Sequence, residues 1–334
     1  MQCMARKRTM KQRKLEPAVQ TITFVLPNGE NTVDLSQCAS IVNRRFYRQG
    51  INWVVAGFRF FKPGATVQTG LGVSVSKLPN TWVMGNAWEK SFRHWQELNK
   101  RALEAGESLP GRFTDFKVYM DAIHHAAGKG TNLLPVDSTS TSAVNGEWEY
   151  SKIVFPQTST IGGVIEAEFI ATGANYPGAG ASGLDAVSLI EGYAASRALP
   201  NILDPNTPGD ASDTSAGTPE NWLGAIDNEG TTQVSSVLAD LTADNDKAPY
   251  PFENDGTATD TMYPGGANQL SGLQYVDGAY FNATDNANKL FVKGDNFPCG
   301  LVRISSNVGE DILMSIDLVP GTHRGYLCEP MTEM

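Results

Sequence analysis

Short segments in which apolar and polar residues alternate lie near both ends of the chain, and they constrain its fold more than any other feature. Val19–Leu26 alternates residue by residue and stops at the turn residues Pro27-Asn28-Gly29. Asp311–Val319 alternates in the same way and is followed by Pro320-Gly321. A two-residue period is typical of strands with one buried and one solvated face. Both regions are therefore predicted to form antiparallel β-structure.

Further segments that are rich in β-forming residues lie between these two along the chain and near its end. They are Ile51–Lys62, Leu71–Leu78, Arg112–Met120, Glu149–Phe155, Gly163–Ala171, Gly300–Ser305 and Arg324–Cys328. Strands and helices do not alternate as they would in a parallel βαβ fold. The prediction is a mainly β fold, an antiparallel jelly-roll sandwich with helical and long loop insertions.

Two segments in the middle of the chain are predicted to be helical, with a third, shorter stretch near Val234–Leu241. In Ala87–Ala105, aromatic residues recur at helical spacing, Asn86 is a candidate cap, and Gly106 follows the last turn. The pairs Glu89 with Arg93 and Glu97 with Arg101 are spaced for i, i+4 ion pairs. The other helix is predicted at about Leu184–Leu199.

Charge divides the chain into unlike parts. Residues 1–16 hold six basic side chains and one acidic, a net charge of +5, which leaves −15 for residues 17–334. Residues 201–260 hold 12 acidic side chains against Lys247 alone. We predict a basic arm at 1–16, a single domain at 17–334, and an acidic surface loop insertion at 201–260. No apolar run has the length of a membrane span, and the first residues lack the apolar core of a secretory signal, so neither is expected.

Motifs for catalysis are weak. Gly178–Gly183 matches GxGxxG, but the residues before it do not form the doubly buried strand of a dinucleotide-binding fold, so a plain loop is the preferred interpretation. His124 and His125 are adjacent and should point in different directions. The pairs Glu147 with Glu149 and Glu166 with Glu168 are interpreted as acidic residues on a solvated strand face. The chain is predicted not to be an enzyme, with no catalytic residues, metal site or cofactor.

The arm carries the strongest functional signal. Its basic residues repel one another and are expected to stay mobile until they meet a polyanion, where counterion release drives binding. The predicted nucleic-acid-binding residues are Arg6, Lys7, Arg8, Lys11, Arg13 and Lys14. The same string is typical of a nuclear import signal. A tail that only increases solubility is the alternative.

A second cationic cluster, Arg44, Arg45 and Arg48, offers possible secondary nucleic-acid contacts. The neighbouring aromatics Phe46, Tyr47 and Trp53 allow two interpretations. They can stack on single-stranded bases, or they can belong to the core and leave the arginines on a solvated edge.

Three stretches resemble capsid proteins of small circular single-stranded DNA viruses. They are TGLGVSVSKLPNTWVMGNAWEKSFRHWQEL (Thr69–Leu98), GRFTDFKVYMD (Gly111–Asp121), and PCGLVRIS with IDLVPGTHRGYLCEPM within Pro298–Met331. The resemblance implies a jelly-roll subunit that self-assembles into an icosahedral virion, with the arm on the single-stranded DNA genome. It also implies assembly in the host nucleus, a possible nuclear import receptor as partner, and no membrane partner.

A different class of function is the alternative to this one. A carbohydrate-binding or carbohydrate-active jelly-roll protein can use a cleft of Trp148 flanked by Glu147 and Glu149. The basic arm has no role in such chemistry, which favours the capsid hypothesis.

Overall fold

A computed structural model of the chain describes residues 17–62, 72–111, 114–156, 163–198, 272–281 and 289–333. The predicted basic arm at 1–16, the acidic insertion at 201–260 and the helical stretch near 234–241 lie outside the described residues. Within them the fold is mainly β, as predicted, and most of its strand pairs are antiparallel.

The strands and helices are numbered along the chain. The strands are β1 (Thr21–Leu26), β2 (Gly29–Asp34), β3 (Ile51–Phe61), β4 (Gly72–Lys77), β5 (Lys152–Pro156), β6 (Val164–Ile170), β7 (Asp185–Ser188), β8 (Gln274–Tyr280), β9 (Lys289–Lys293), β10 (Asn296–Phe297), β11 (Leu301–Ser306), β12 (Ile312–Leu318), β13 (Pro320–Gly321), β14 (Gly325–Tyr326) and β15 (Cys328–Pro330). The helices are α1 (Leu35–Asn43), α2 (Trp82–Ala105), α3 (Ala122–Ala127) and α4 (Leu189–Ala198).

Two antiparallel sheets form the body of the fold. The first runs β1-β12-β3, and β3 also pairs with β9, β10 and β15. The second runs β2-β11-β4-β8. In both sheets, strands from the start of the chain therefore lie beside strands from its end. A short hairpin, β13 with β14, follows β12.

One hydrophobic core is shared by the two sheets. The first sheet contributes Phe24, Phe58 and Ile316, and the second contributes Val75 and Ile304, all of them fully buried. In β1 and β12 every second residue is buried, so the alternation in their sequences is a consequence of burying one face of the strand.

A long insertion connects β4 to β8 and carries most of the helical structure. It contains α2, α3 and α4 and a third sheet in the order β5-β6-β7. In that sheet β6 and β7 are parallel, which departs from the purely antiparallel prediction. Its core joins Trp88 and Trp95 of α2 to Phe155 and Phe169 of the third sheet. None of the helices in the described part of the chain is long and apolar enough to cross a membrane.

Helix α2 begins five residues before its predicted start. Thr81 is the cap, because its hydroxyl accepts from the Met84 backbone N–H at 3.4 Å. Asn86, the predicted cap, lies inside the helix and donates to the Tyr193 hydroxyl at 3.2 Å. The prediction that Gly106 ends the helix is confirmed.

Both predicted ion pairs on α2 form. Glu89 accepts from Arg93 at 2.6 Å, and Glu97 accepts from Arg101 at 3.3 Å.

Two other predictions in the insertion are wrong in part. The described residues of 112–120 form only an isolated bridge, from Tyr119 to Ile170, because the N–H groups of Lys117, Val118 and Met120 bond to side chains. The helix predicted from Leu184 is preceded by β7, which pairs with β6, and Ser188 then accepts from the Glu191 N–H at the start of α4.

Candidate nucleic-acid interface

The cationic loop predicted at residues 44–48 leaves the end of α1. Asp34 caps the start of this helix by accepting from the backbone N–H groups of Ser36 and Gln37. The helix ends at Arg44, whose φ of 52° turns the backbone into the left-handed region. Arg44, Arg45 and Arg48 are all exposed. The structure therefore brings the three predicted arginines together on the surface.

The aromatic residues of this region divide between the two interpretations. Tyr47 and Trp53 are fully buried, with ring centroids 5.8 Å apart, and both contact the ring of Tyr326. The hypothesis that these two rings stack on bases is wrong, because they belong to the core that the two sheets share. Phe46 is half-buried and stays near the surface.

Two cations that the sequence pattern did not single out join the three arginines. Arg324 is exposed, and its guanidinium donates to the Phe46 carbonyl. The Lys117 ammonium lies 5.7 Å from the centre of the Phe46 ring and 4.6 Å from that of Trp148. Its side chain is 12% exposed and pairs with Asp115 at 3.9 Å, so it forms the floor of this surface. We call the surface formed by Arg44, Arg45, Arg48, Lys117 and Arg324 the basic patch.

The first described residues of the chain run beside the basic patch. The Val19 N–H donates to the Asn43 side-chain oxygen at 3.0 Å, and the Tyr326 hydroxyl donates to the Val19 carbonyl at 2.7 Å. Gln20 donates to the Gly325 carbonyl at 3.1 Å. Asn43 directly precedes Arg44, and Gly325 directly follows Arg324. The segment that continues from the arm is thus held against the patch, while the six predicted arm residues, Arg6 to Lys14, lie outside the described residues.

A buried polar network fixes the base of the cationic loop. The Asp34 carboxylate accepts from the Gln49 side chain at 3.0 Å and from the Trp148 indole N–H at 3.2 Å. Burial raises the pKa of Asp34 to about 6, against the hydrogen bonds that favour its charged form. Burial also raises the pKa of Asp115, to about 6, and the Lys117 ammonium opposes that shift. The base of the loop that carries the three arginines is therefore anchored.

The predicted carbohydrate cleft does not form around Trp148. This side chain is buried, and its indole N–H is directed inward to Asp34. Glu147 and Glu149 are exposed, and Glu149 pairs with Lys129. The Trp148 ring is therefore not presented to solvent between the two carboxylates.

The pair Glu166 with Glu168 also differs from its prediction. Glu166 is exposed, but Glu168 is buried, and it accepts from the Ser182 hydroxyl at 2.7 Å and bonds to His125 Nε2 at 3.0 Å. The interpretation as two solvated acids is wrong for Glu168. Glu168, on β6, contacts both the loop 178–183 through Ser182 and helix α3 through His125.

The GxGxxG motif, Gly178–Gly183, lies in the loop that connects β6 to β7. A dinucleotide fingerprint needs a helix that opens at the motif, but here a strand follows, and α4 begins only at Leu189. A side chain at Gly180 would collide with the His125 ring, so this glycine serves packing.

His124 and His125 point to different partners, as predicted. His124 Nδ1 accepts from the Met120 N–H at 3.1 Å, so its Nε2 carries the proton and donates to Asn132 Oδ1 at 2.7 Å. Burial lowers the pKa of His124 to about 3. Among the described residues, no group of three or more His, Cys, Asp and Glu side chains is arranged to hold a metal ion.

Comparisons with known proteins found no match: not among family models, not among curated proteins, and not among solved structures.

Proposed function

We propose that this chain is a viral coat subunit with a jelly-roll fold, which self-assembles into a closed shell and packages single-stranded DNA. The arm residues Arg6 to Lys14 and the basic patch are the proposed DNA contacts. The virion and the host nucleus are the proposed locations, and the arm is the proposed import signal.

The strand order is the observation that carries this proposal. The antiparallel pairs are nested along the chain: β1 pairs with β12, β2 with β11, β3 with β9, and β4 with β8. A long antiparallel ribbon that rolls up into two sheets has this nesting. Eight strands in two sheets are the hallmark of jelly rolls, which occur in viral capsids, lectins and cupins. The order therefore supports a jelly roll.

A fold alone does not define a function, so the choice among these classes depends on the surface. The buried position of Trp148 disfavours the carbohydrate cleft, and the basic patch favours a polyanionic ligand. The patch combines cations from the loop after α1, from the insertion and from the turn before β14. Because the chain reaches Val19 beside Asn43, the covalent chain keeps Lys14 within about 18 Å of Val19. Arm and patch can therefore contact the same strand of DNA.

The charge distribution also fits a coat subunit. Residues 17–334 carry a net charge of −15, of which −11 belongs to residues 201–260, so the charge that disfavours adsorption of nucleic acid is concentrated in that segment of the sequence. The arm and the patch are local exceptions to this charge. The arm and the patch are therefore favoured over that segment as DNA contacts.

The DNA-binding part of the proposal is tested with two matched double variants of the full chain. Arg44→Gln with Arg45→Gln removes two cations from the patch. Lys100→Gln with Arg101→Gln removes two exposed cations from α2 and serves as the control. Affinity for a single-stranded oligonucleotide is measured by fluorescence anisotropy over a range of salt concentrations.

We expect the patch variant to bind more weakly and to lose about 0.7 in the slope of log K against log salt for each lost phosphate contact. The control should keep both affinity and slope. A deletion of residues 1–16 should reduce the slope further. The proposal would be contradicted if the patch variant binds as tightly as the wild type and particles of the deletion variant contain the normal amount of DNA.

A further inference from the structure

The outer face of the first sheet carries exposed aromatic rings among cations. In the register of β3 with β9, Phe61 lies opposite Lys289 and Arg59 lies opposite Phe291. Residues directly opposite each other in an antiparallel pair share a face, and the next opposite pair along that face adds Lys293. We call the surface formed by Arg59, Phe61, Lys289, Phe291 and Lys293 the open face. The intervening residues point into the core.

Both aromatic rings of the open face are accessible. Phe61 is 41% exposed and Phe291 is 61% exposed. The Phe291 ring lies over Gly57, where a Cβ atom would be 2.7 Å from two of its ring carbons. The glycine thus lets the ring lie against the sheet and present its other side to solvent. A fixed ring with one free side suits stacking by a nucleobase.

The open face carries an excess of positive charge. Arg59, Lys289 and Lys293 are exposed, and two carboxylates lie beside them: Asp317 pairs with Arg59 at 2.6 Å, and Asp277 accepts from the Lys293 backbone N–H at 3.1 Å. Three cations against two carboxylates, one of which is already paired with Arg59, leave a small positive excess on this face. The charge complements a polyanion. The core of a protein–protein interface is, by contrast, depleted of charged residues, which disfavours a second copy of this chain as the occupant.

We infer that the open face binds single-stranded nucleic acid, with bases stacked on Phe61 and Phe291 and phosphates held by Arg59, Lys289 and Lys293. This inference shares its ligand with the proposed function but uses none of its residues. A duplex keeps its bases stacked on one another, so it cannot use the two rings.

The open face is continuous with the region where the arm joins the sheet. Thr21, the first residue of β1, lies opposite Asp317, and Asp317 lies opposite Gly57. Gly57 in turn lies opposite Lys293. One row of the sheet therefore leads from the start of β1 to the edge of the open face, so a strand bound by the arm can continue onto the rings.

The test compares variants of the full chain in binding to a fluorescein-labelled oligothymidylate of about 20 nucleotides, longer than the sites of about 4–16 nucleotides typical of such surfaces. The same labelled strand in a duplex is the second probe. Phe61→Leu with Phe291→Leu keeps the apolar volume and removes the rings. Tyr280→Leu is the matched control, because Tyr280 is 73% exposed and its ring also lies over a glycine, Gly72, on the second sheet.

We expect the double variant to bind the single strand at least about tenfold more weakly at constant salt, with the salt slope and the duplex affinity unchanged. Tyr280→Leu should bind like the wild type. Thermal unfolding and sizing chromatography of each variant show whether the fold and the oligomeric state are kept.

Three outcomes would overturn the inference. In the first, the double variant keeps its affinity for the single strand, while deletion of residues 1–16 abolishes binding. This result would contradict the inference but agree with the proposed function. Another is equal weakening by the double variant and Tyr280→Leu. The third is a changed oligomeric state with unchanged affinity, which would assign the face to a second copy. Conversely, the inference would be supported if only the double variant loses single-strand affinity, while the arm deletion and the patch variant bind like the wild type. That result would contradict the proposed DNA contacts of the arm and the patch.

Discussion

The insertion is tied to the second sheet by a buried ion pair, and its removal is the most informative perturbation of the fold. Arg303 of β11 donates from Nη2 to Asp121 Oδ1 at 2.5 Å, and both side chains are at least 95% buried. Asp121 also caps α3 by accepting from the His124 N–H. We predict that Arg303→Met destabilises the protein strongly, because it leaves a carboxylate buried without its counter-charge.

The magnitude follows from the burial of the pair. Breaking a buried pair by removing one partner costs about 3–5 kcal/mol, whereas an exposed pair contributes about 0–1 kcal/mol. The molecule supplies a matched exposed pair in Arg59 with Asp317, also an Nη2–Oδ1 contact, at 2.6 Å, with the arginine side chain 55% exposed. Arg59→Met should therefore cost less than about 1 kcal/mol.

The assay is urea-induced unfolding followed by tryptophan fluorescence, with the free energy of unfolding obtained by linear extrapolation. The double variant Arg303→Met with Asp121→Asn removes both charges while the amide oxygen keeps a cap for α3, so it should recover a large part of the loss. Equal costs for Arg303→Met and Arg59→Met would refute the reasoning, as would a double variant no more stable than Arg303→Met alone.

Further predictions concern a histidine, a glycine and a helix cap. His124 stays neutral in the fold with a pKa of about 3, so lowering the pH from 6.5 to 4.5 should cost the wild type up to about 3 kcal/mol relative to His124→Asn, measured as the difference between their unfolding free energies; parallel pH profiles would contradict this. Gly294→Ala should destabilise by at least about 1–3 kcal/mol, because its Cβ would collide with the Val55 carbonyl, whereas Gly130→Ala, with open space, should be close to neutral in the same urea assay. Thr81→Ala should lower the free energy of unfolding by about 1 kcal/mol through loss of the α2 cap, and an unchanged value would assign the cap elsewhere.

The sequence pattern predicts those strands that bury one face and expose the other. β1, β3 and β12 belong to this group, since their outer faces are accessible. The pattern does not predict β2, because Asn31, Thr32 and Asp34 are buried polar residues, which removes the apolar–polar alternation. Tertiary partners satisfy them: Asp34, for example, accepts from Gln49 and Trp148.

The candidate site is predictable only where its residues are neighbours in sequence. Arg44, Arg45 and Arg48 are close along the chain, so their clustering can be read directly from the order of the amino acids. Lys117 and Arg324 join them through contacts with Phe46, which no local pattern encodes. The sequence pattern does not reveal the open face either, because only the register of β3 with β9 places Phe61 and Phe291 on one surface.

The central claim, that this chain is a DNA-packaging coat subunit, is tested most directly by expressing the full chain and separating it by size. Negative-stain electron microscopy and the ratio of absorbance at 260 and 280 nm then describe what elutes. The account predicts closed particles of uniform size that carry nucleic acid. A monomer free of nucleic acid at every pH and salt concentration would contradict it.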